Sequence, residues 1–472
     1  MKFGTSGIRG LVVDLQGHAS ALYATAFAHH LLHNSLAKPG DTVFVGEDYR
    51  PSSPDIAATC VAALRRAGLK PVSCGALPTP SLALYAMSNN SASLMVTGSH
   101  IPADRNGIKF YRPDGEIDKA DEQSIIRIAE ELKAKPTDIT PGIAADEALL
   151  AKELFAARTR AILPPGGLSG LKVGVYQHST VARDELVETI ASYGAEVIAI
   201  SRSETFIPVD TEAISSQTVC LLKSWATKYG TDAIVSADGD GDRPLVSNET
   251  GLPLRGDLLG MLVAQFLGAQ VVVTPITSNS GIEHAGDFEV VRTRVGSPYV
   301  IAGMNEAIAA GNHAVLGFEA NGGVLVGSDF QLGDRVLRAL PTRDCFLPIL
   351  AALFYCRQSN KPLSALVAHS GLPFAHAGRL EDFPSEVSAA LMDYLNRSDE
   401  NIAEWLRSIG SVSAVNKTDG LRMVLTDNRI LHLRPSGNAP EMRCYVEAED
   451  EEAATDLLHQ GLTLIKQWAI DC

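Results

Sequence analysis

The densest chemistry in the sequence lies at Asp238-Gly239-Asp240-Gly241-Asp242-Arg243, where three carboxylates alternate with glycines. Glycines let a short loop turn several oxygens onto one point, which suits a hard divalent cation such as magnesium. A calcium-binding helix-loop-helix is a competing reading, because Glu249 stands twelfth counting from Asp238. It fails because the sixth position is Arg243 rather than glycine and because Asp232–Ala237 reads as a strand. An acidic surface turn is the plain alternative, but three carboxylates this close repel unless a cation sits among them.

Three further stretches supply parts that such a site needs. Thr97-Gly98-Ser99-His100-Ile101-Pro102 follows the apolar run Ala92–Val96 and sets a serine on a glycine-loosened turn at a strand end. Ser99 is well placed to act as a nucleophile, although turn serines more often bond their own backbone. His100 reads as a hydrogen-bonding loop residue and is counted with the catalytic set. Gly317-Phe318-Glu319-Ala320-Asn321-Gly322-Gly323 carries Glu319 and Asn321 two apart, able to bond adjacent hydroxyls of a sugar. Arg434-Pro435-Ser436-Gly437-Asn438-Ala439-Pro440, with Arg443, gathers guanidinium, hydroxyl, amide and bare backbone N–H groups. That composition suits a phosphate dianion. Arg9 and Lys109 complete the candidates.

The elements that must position these loops follow from pattern. Strands are expected at Thr42–Gly46, Lys70–Cys74 and Ala92–Val96, with helices at Ala19–Ser35 and from Pro54 to Gly68. Asn106-Gly107 reads as a hairpin turn before a strand Ile108–Tyr111, folding Lys109 back towards Ser99. Phe3–Gly10 reads as a mobile loop. The pattern repeats with strands Leu171–Tyr176, Glu196–Ile200 and Ala233–Ser236 around a helix Ala182–Tyr193. A third pass has strands Gln270–Thr274, Phe288–Arg292 and His313–Leu316, a short helix near Gly281 and a helix Ala302–Ala309. In open α/β sheets ligands bind at the carboxyl ends of strands, so the loops at Ser99, Asp238 and Glu319 are expected to face one cleft. The last hundred or so residues read as helices Ser385–Asn396 and Ala403–Ser408, short strands and a closing helix Ala453–Trp468. The expectation is α/β with four domains: 1–150, 151–252 and 253–370 as related units, and 371–472 as an α+β domain joined near Gly371–Pro373.

Composition agrees. A chain of 472 residues exceeds one hydrophobic core. A net charge of -15 disfavours nonspecific nucleic-acid or membrane binding but leaves the field of a local cleft open. The seven cysteines form no Cys-x-x-Cys pair, so zinc is not expected and a reducing compartment is. Leu258–Pro275 is broken by Gly260, Gln265, Gly268 and Gln270 and reads as buried helix, turn and strand. With no apolar signal core at the N-terminus, a cytoplasmic protein is expected.

Taken together, the loops at Ser99, Asp238, Glu319 and Arg434, with Phe3–Gly10, resemble the α-D-phosphohexomutases in order and spacing across nearly the whole chain. The resemblance implies a heart-shaped arrangement of four domains around a central cleft. It implies a phosphorylated Ser99, with magnesium held by Asp238, Asp240, Asp242 and a phosphoserine oxygen. Phosphate would pass between C1 and C6 of a hexose, mannose first and glucose second, through a hexose 1,6-bisphosphate that also serves as activator. Arg9 and Arg243 would stabilise the moving phosphoryl group, and Lys109 would be the acid/base, with a lowered pKa. Glu319 and Asn321 would hold the sugar. Arg434, Ser436, Gly437, Asn438 and Arg443 would hold the distal phosphate. The implied partners are small hexose phosphates, with the chain a monomer or homodimer.

Several positions depart from the family. Many members have alanine at Gly98, asparagine at Ile101, serine at Asn321 and threonine at Asn438, and some have histidine at Ser297. These leave the sugar open. Phosphoglucosamine mutase is the alternative enzyme, disfavoured by Ser6 and Asn321. A catalytically silent sugar-bisphosphate-binding paralogue is the other alternative, disfavoured by intact Ser99, Lys109 and the three aspartates.

Overall fold

The computed structural model describes residues 2–3, 7–134, 137–436 and 440–471. The chain divides into two compact units, one of residues 1–273 and 296–370, the other of 274–295 and 371–472.

The first unit carries three larger sheets built on one theme, besides the two-stranded ribbon of Phe330–Leu332 and Arg335–Leu337. In the first sheet Thr42–Glu47 pairs in parallel with Lys70–Ala76 on one side and Ala92–Val96 on the other. The chain then returns antiparallel as Arg105–Arg112. In the second, Lys172–His178 pairs in parallel with Glu196–Arg202 and with Ala233–Ala237, and Pro244–Ser247 returns antiparallel. In the third, Val271–Val273 pair in parallel with Val315–Gly317, and Val324–Val326 returns antiparallel. Each parallel strand before a return is buried throughout and apolar enough to sit between layers. The serine, aspartate and glutamate loops are therefore three equivalent connections, each at the carboxyl end of a buried strand.

Two expectations are corrected here. Asn106-Gly107 is no turn: both residues lie inside strand Arg105–Arg112. The strand is flanked on both sides, and a Cβ on Gly107 would lie 2.6 Å from the Ile8 carbonyl oxygen and 2.7 Å from that of Thr97. Glycine there serves close approach, and the Asn106 amide donates to the Ser52 and Ser53 hydroxyls. The opening stretch is also not all loop. Gly7–Leu11 is a strand, and its pairing sets Arg9 opposite Gly107 and Gly7 opposite Lys109. The apolar run after Gly256 does form helix Gly256–Leu267, a left-handed Gly268 and strand Val271–Pro275.

The second unit is an antiparallel sheet in the order Phe374–Leu380, Met442–Ala448, Ile430–Pro435, Leu421–Leu425, Val412–Asn416. Helices Ser385–Arg397, Asp399–Trp405 and Glu451–Asp471 accompany it, the middle one four residues earlier than its pattern suggested. Leu391, Leu395, Ile402, Leu406, Leu421, Met423, Leu431, Leu433, Leu457 and Ile465 make its core. Segment 274–295 belongs with this unit. Glu447 accepts from the Ser280 backbone N–H at 3.1 Å, and Asn279 donates to the Pro373 carbonyl at 2.8 Å.

The described cysteines are free, and Cys60, Cys74, Cys345, Cys356 and Cys444 are buried. Among the described residues no helix is long and apolar enough to cross a membrane.

Behind the aspartate loop, His178 is buried and its Nε2 lies 2.9 Å from the Ala237 carbonyl oxygen. Its Nδ1 has no partner among the described residues. Burial lowers its pKa from 6.5 to about 4, against the Ala237 bond. Between those values the unfolded chain binds a proton that the folded chain refuses, so stability should fall as pH drops through that window, by on the order of 2–3 kcal/mol. Melting temperature measured across the window should decline less in His178→Gln than in the native protein; equal slopes would refute the assignment.

Candidate active site

The serine loop is held by an arginine that lies far from it in sequence. Arg50 is 1% exposed and donates to three carbonyls of the loop, Ser99 at 2.9 Å, Ile101 at 2.6 Å and Pro102 at 2.7 Å, and to that of Arg105 at the start of the return strand, at 3.0 Å. Its Nε donates to Asp48 at 3.2 Å, and its guanidinium stacks over Phe206. Asp48 also accepts from the Thr97 hydroxyl at 2.7 Å, and the Thr97 oxygen accepts from the Ser99 N–H at 2.8 Å. So tied, Ser99 keeps a left-handed φ of 57°, unusual for a non-glycine residue.

The hydroxyl of Ser99 donates to Asp238 Oδ2 at 2.5 Å. This joins the serine loop to the aspartate loop, as the sequence led one to expect. The three aspartates are buried and each offers a carboxylate oxygen within 4.8 Å of the others. In each, the protein orients one oxygen. Asp238 Oδ1 accepts from the Asp242 and Arg243 backbone N–H groups. Asp240 Oδ2 accepts from Thr79 Oγ1 and Lys109 Nζ, both at 2.5 Å. Asp242 Oδ2 accepts from Lys109 Nζ at 2.5 Å and from Arg343 Nε at 3.0 Å. What remains is Asp240 Oδ1 and Asp242 Oδ1, buried and without a hydrogen bond among the described residues, beside Asp238 Oδ2 on the serine. Oriented carboxylates with orphaned oxygens fit a hard divalent cation.

The electrostatics say the same. Burial, then the like charges of Asp240 and Asp242, push Asp238 up to about 8. Burial also acts to raise Asp242, but Arg343, Lys109 and Arg243 outweigh it and hold that carboxyl well below the usual range. Lys109 corrects an expectation. Burial alone would lower it, but Asp240 and Asp242 more than compensate and raise it. Arg9 is drawn down to about 10 by burial and by Arg243 and Arg343, opposed by Asp240 and Asp242. It forms no ion pair among the described residues.

His100 accepts at Nδ1 from Arg243 Nη1 at 2.9 Å, so its proton is on Nε2. Burial and the charge of Arg243 lower it to about 3. His100 therefore orients Arg243 and is a poor proton acceptor. Glu319 accepts from Arg343 Nη1 at 3.0 Å, and Asn321 Oδ1 accepts from the Gly323 N–H at 2.9 Å, closing its own loop. The first unit thus brings together Arg9, Ser99, His100, Lys109, the three aspartates, Arg243 and Glu319, with Asn321 on the glutamate loop.

In the second unit Arg434 donates from Nε to Asp419 at 2.9 Å and stands opposite Arg443 on the neighbouring strand. The Ser436 N–H bonds the Glu441 carbonyl at 2.9 Å. Gly437 and Asn438 lie outside the described residues.

Sequence reasoning missed Arg343, which bridges Asp242 and Glu319, as well as Arg50 and Thr79. Arg343 sits in strand Leu340–Asp344 with no motif around it. Thr79 opens a helix masked by Pro78 and Pro80. Only Asp48-Tyr49-Arg50, placed directly after a strand, offered a signal.

Models of the phosphoglucomutase/phosphomannomutase α/β/α domain I, domain III and C-terminal domain match residues 1–136, 255–371 and 395–462. A curated phosphomannomutase from Sinorhizobium fredii is 56% identical over 98% of both chains. One from Salmonella muenchen is 41% identical, covering 99% of this chain and 96% of its own. The fold is shared with a solved phosphoglucomutase/phosphomannomutase family protein of Burkholderia thailandensis, at a TM-score of 0.74 and 20% identity over 98% of this chain and 97% of that one. The chain belongs to the phosphoglucomutase/phosphomannomutase family.

The clamp leaves little room beside Gly98. A Cβ at Gly98 would lie 2.7 Å from Arg50 Cζ and 2.8 Å from its Nε. Gly98→Ala should displace Arg50 and cost about 1–3 kcal/mol, the usual scale of overpacking, read by denaturant unfolding together with a fall in turnover. A variant as stable and active as the native protein would show that Arg50 has room to yield.

Proposed function

We propose that the chain interconverts the 1- and 6-phosphates of a hexose by way of a phosphorylated Ser99, with mannose phosphate the first substrate and glucose phosphate the second. The observation that carries this reading is the 2.5 Å bond from the Ser99 hydroxyl to Asp238 of a buried aspartate trio that also holds Lys109. The preference for mannose rests on the two curated relatives, both phosphomannomutases.

Each half-reaction breaks one P–O bond and makes another. Phosphate on Ser99 Oγ passes to the free hydroxyl of a hexose monophosphate, and Ser99 Oγ takes up a proton as the sugar oxygen loses one. Lys109, held between Asp240 and Asp242, is the group that carries the proton. Arg9 and Arg243 balance charge on the phosphoryl oxygens, and His100 keeps Arg243 aimed. Glu319 binds ring hydroxyls with Asn321 beside it. The bisphosphate so formed returns its other phosphoryl group to Ser99. Its distal phosphate meets Arg434, Ser436 and Arg443, along with Gly437 and Asn438. A magnesium ion held by Asp238, Asp240 and Asp242 would supply charge neutralisation at the serine oxygen. Phosphoryl transfer depends chiefly on positioning and such neutralisation. The four sequence domains, 1–150, 151–252, 253–370 and 371–472, are proposed as the units that carry the four loops.

Intact mass should reveal one phosphate in active enzyme, absent from Ser99→Ala, and that variant should lose coupled turnover of mannose 1-phosphate. Full turnover with no phosphorylated species at any stage would overturn the reading.

Asp242→Asn should weaken magnesium binding by calorimetry and slow turnover together, the loss of one ligand oxygen falling on both. Undiminished activity in excess chelator would exclude the metal's role.

A further inference from the structure

The turn Thr418-Asp419-Gly420 is stitched to more partners than a surface turn needs. Asp419 Oδ2 accepts twice, from Arg434 Nε at 2.9 Å and from the backbone N–H of Val295 at 2.9 Å. Its own carbonyl oxygen lies 2.7 Å from Nε2 of His432, two residues before Arg434 on the same face of the same strand. The Thr418 carbonyl accepts from Arg294 Nε at 3.2 Å. Gly420 presses the turn onto that strand: with φ at 79°, a Cβ there would lie 2.2 Å from the Leu433 carbonyl oxygen and 3.1 Å from Arg434 Cα. The turn is thus seated over Arg434, and its single carboxylate grips the guanidinium at the root.

That grip has a chemical consequence. Arg434 is engaged through Nε, and among the described residues this is the hydrogen bond its side chain makes. Fixing Nε fixes the guanidinium plane, because the group is rigid and planar. The terminal Nη1 and Nη2 edge is the fork that matches two oxygens of a phosphate. An arginine free to swing about its four side-chain torsions would have to be ordered by the ligand at an entropic cost. Asp419 orders it beforehand. The same oxygen holds Val295, so the segment 294–295 and the arginine share one anchor within this unit.

We propose that Asp419 is the positioning residue of Arg434: it pre-orients that guanidinium for the phosphate of a hexose phosphate and does not itself touch the ligand. The inference rests on the proposed reading of Arg434 as a phosphate-binding residue.

The test uses the full chain and three variants, Asp419→Asn, Arg434→Ala and the two combined, assayed with hexose 1-phosphate and 6-phosphate. Asn keeps an oxygen for the Val295 N–H but loses the charge that holds Arg434. Asp419→Asn should raise KM for both substrates by a similar factor, up to about tenfold, the scale of one charge-assisted contact. The kcat should stay within about twofold of native by the same argument, since the contact is to a group that is not reacting. The double variant should be no worse than Arg434→Ala alone, since Asp419 acts through that arginine. Melting temperature supplies the structural control. A lowered melting temperature with native KM would make Asp419 a fold residue only and overturn the proposal. A raised KM in Arg434→Ala with a native KM in Asp419→Asn would overturn it while leaving the phosphate reading intact. A native KM in Arg434→Ala would instead remove the phosphate reading, and the inference with it.

Discussion

Burying like charges together is the constraint to which the first unit answers. Asp238, Asp240 and Asp242 are each no more than 1% exposed, and Glu319 stands nearby on Arg343. Each buried carboxylate costs several kcal/mol of lost hydration unless it is paired and bonded. The structure supplies Lys109 between two of them, Arg343 between Asp242 and Glu319, and Arg243 beside Asp242. Among the described residues two carboxylate oxygens are still left without a donor, so the balance is incomplete in the direction that attracts a cation. A site built this way is suited to a cation because its own charges are only partly satisfied.

The architecture delivers those groups by repetition. Each of the three larger sheets of the first unit sends a buried strand to its carboxyl end, makes a short loop, and returns antiparallel. The loops differ in what they carry: Ser99 on the first, three aspartates on the second, Glu319 and Asn321 on the third. Return strands matter as much as loops. Lys109 comes from the return strand of the serine loop, opposite Met95, and Arg343 from the strand that pairs with the return of the glutamate loop. A lysine on a rigid strand is positioned to better tolerance than one on a loop.

How much of this was legible depended on distance along the chain. The trio of aspartates, the serine turn and the glutamate loop are local patterns, and so were the alternating strands and helices around them. Arg50, Thr79, Arg343 and Asp419 act on residues remote in sequence, and their neighbours look ordinary. Asn106-Gly107 shows the opposite failure. Its turn propensity is real, but the strand is flanked on both sides, and close packing of backbones used the glycine instead. The grouping of 274–295 with the C-terminal residues was hidden for a similar reason, since it rests on contacts such as Ser280 to Glu447 rather than on composition.

Net charge is a poor guide to such a molecule. The chain carries -15, yet positive charge is concentrated locally. In the second unit Arg379, Arg443 and Arg434 lie opposite one another on three adjacent strands. Like charges in such a row repel. Each is relieved by its own acid: Glu381 for Arg379, Glu441 for Arg443, Asp419 for Arg434. The acids are not equivalent. The Glu381 side chain is 65% exposed, whereas Glu441 and Asp419 are 16% and 20% exposed. An exposed pair is screened and exchanges readily with solvent, so Arg379 behaves as an ordinary surface residue. The two sheltered pairs hold their arginines in fixed orientation, Arg443 beside Glu441 and Arg434 beside Asp419. A row that looks like electrostatic strain is thereby divided into one solvated end and one ordered end, and the ordered end is the one that carries Arg434.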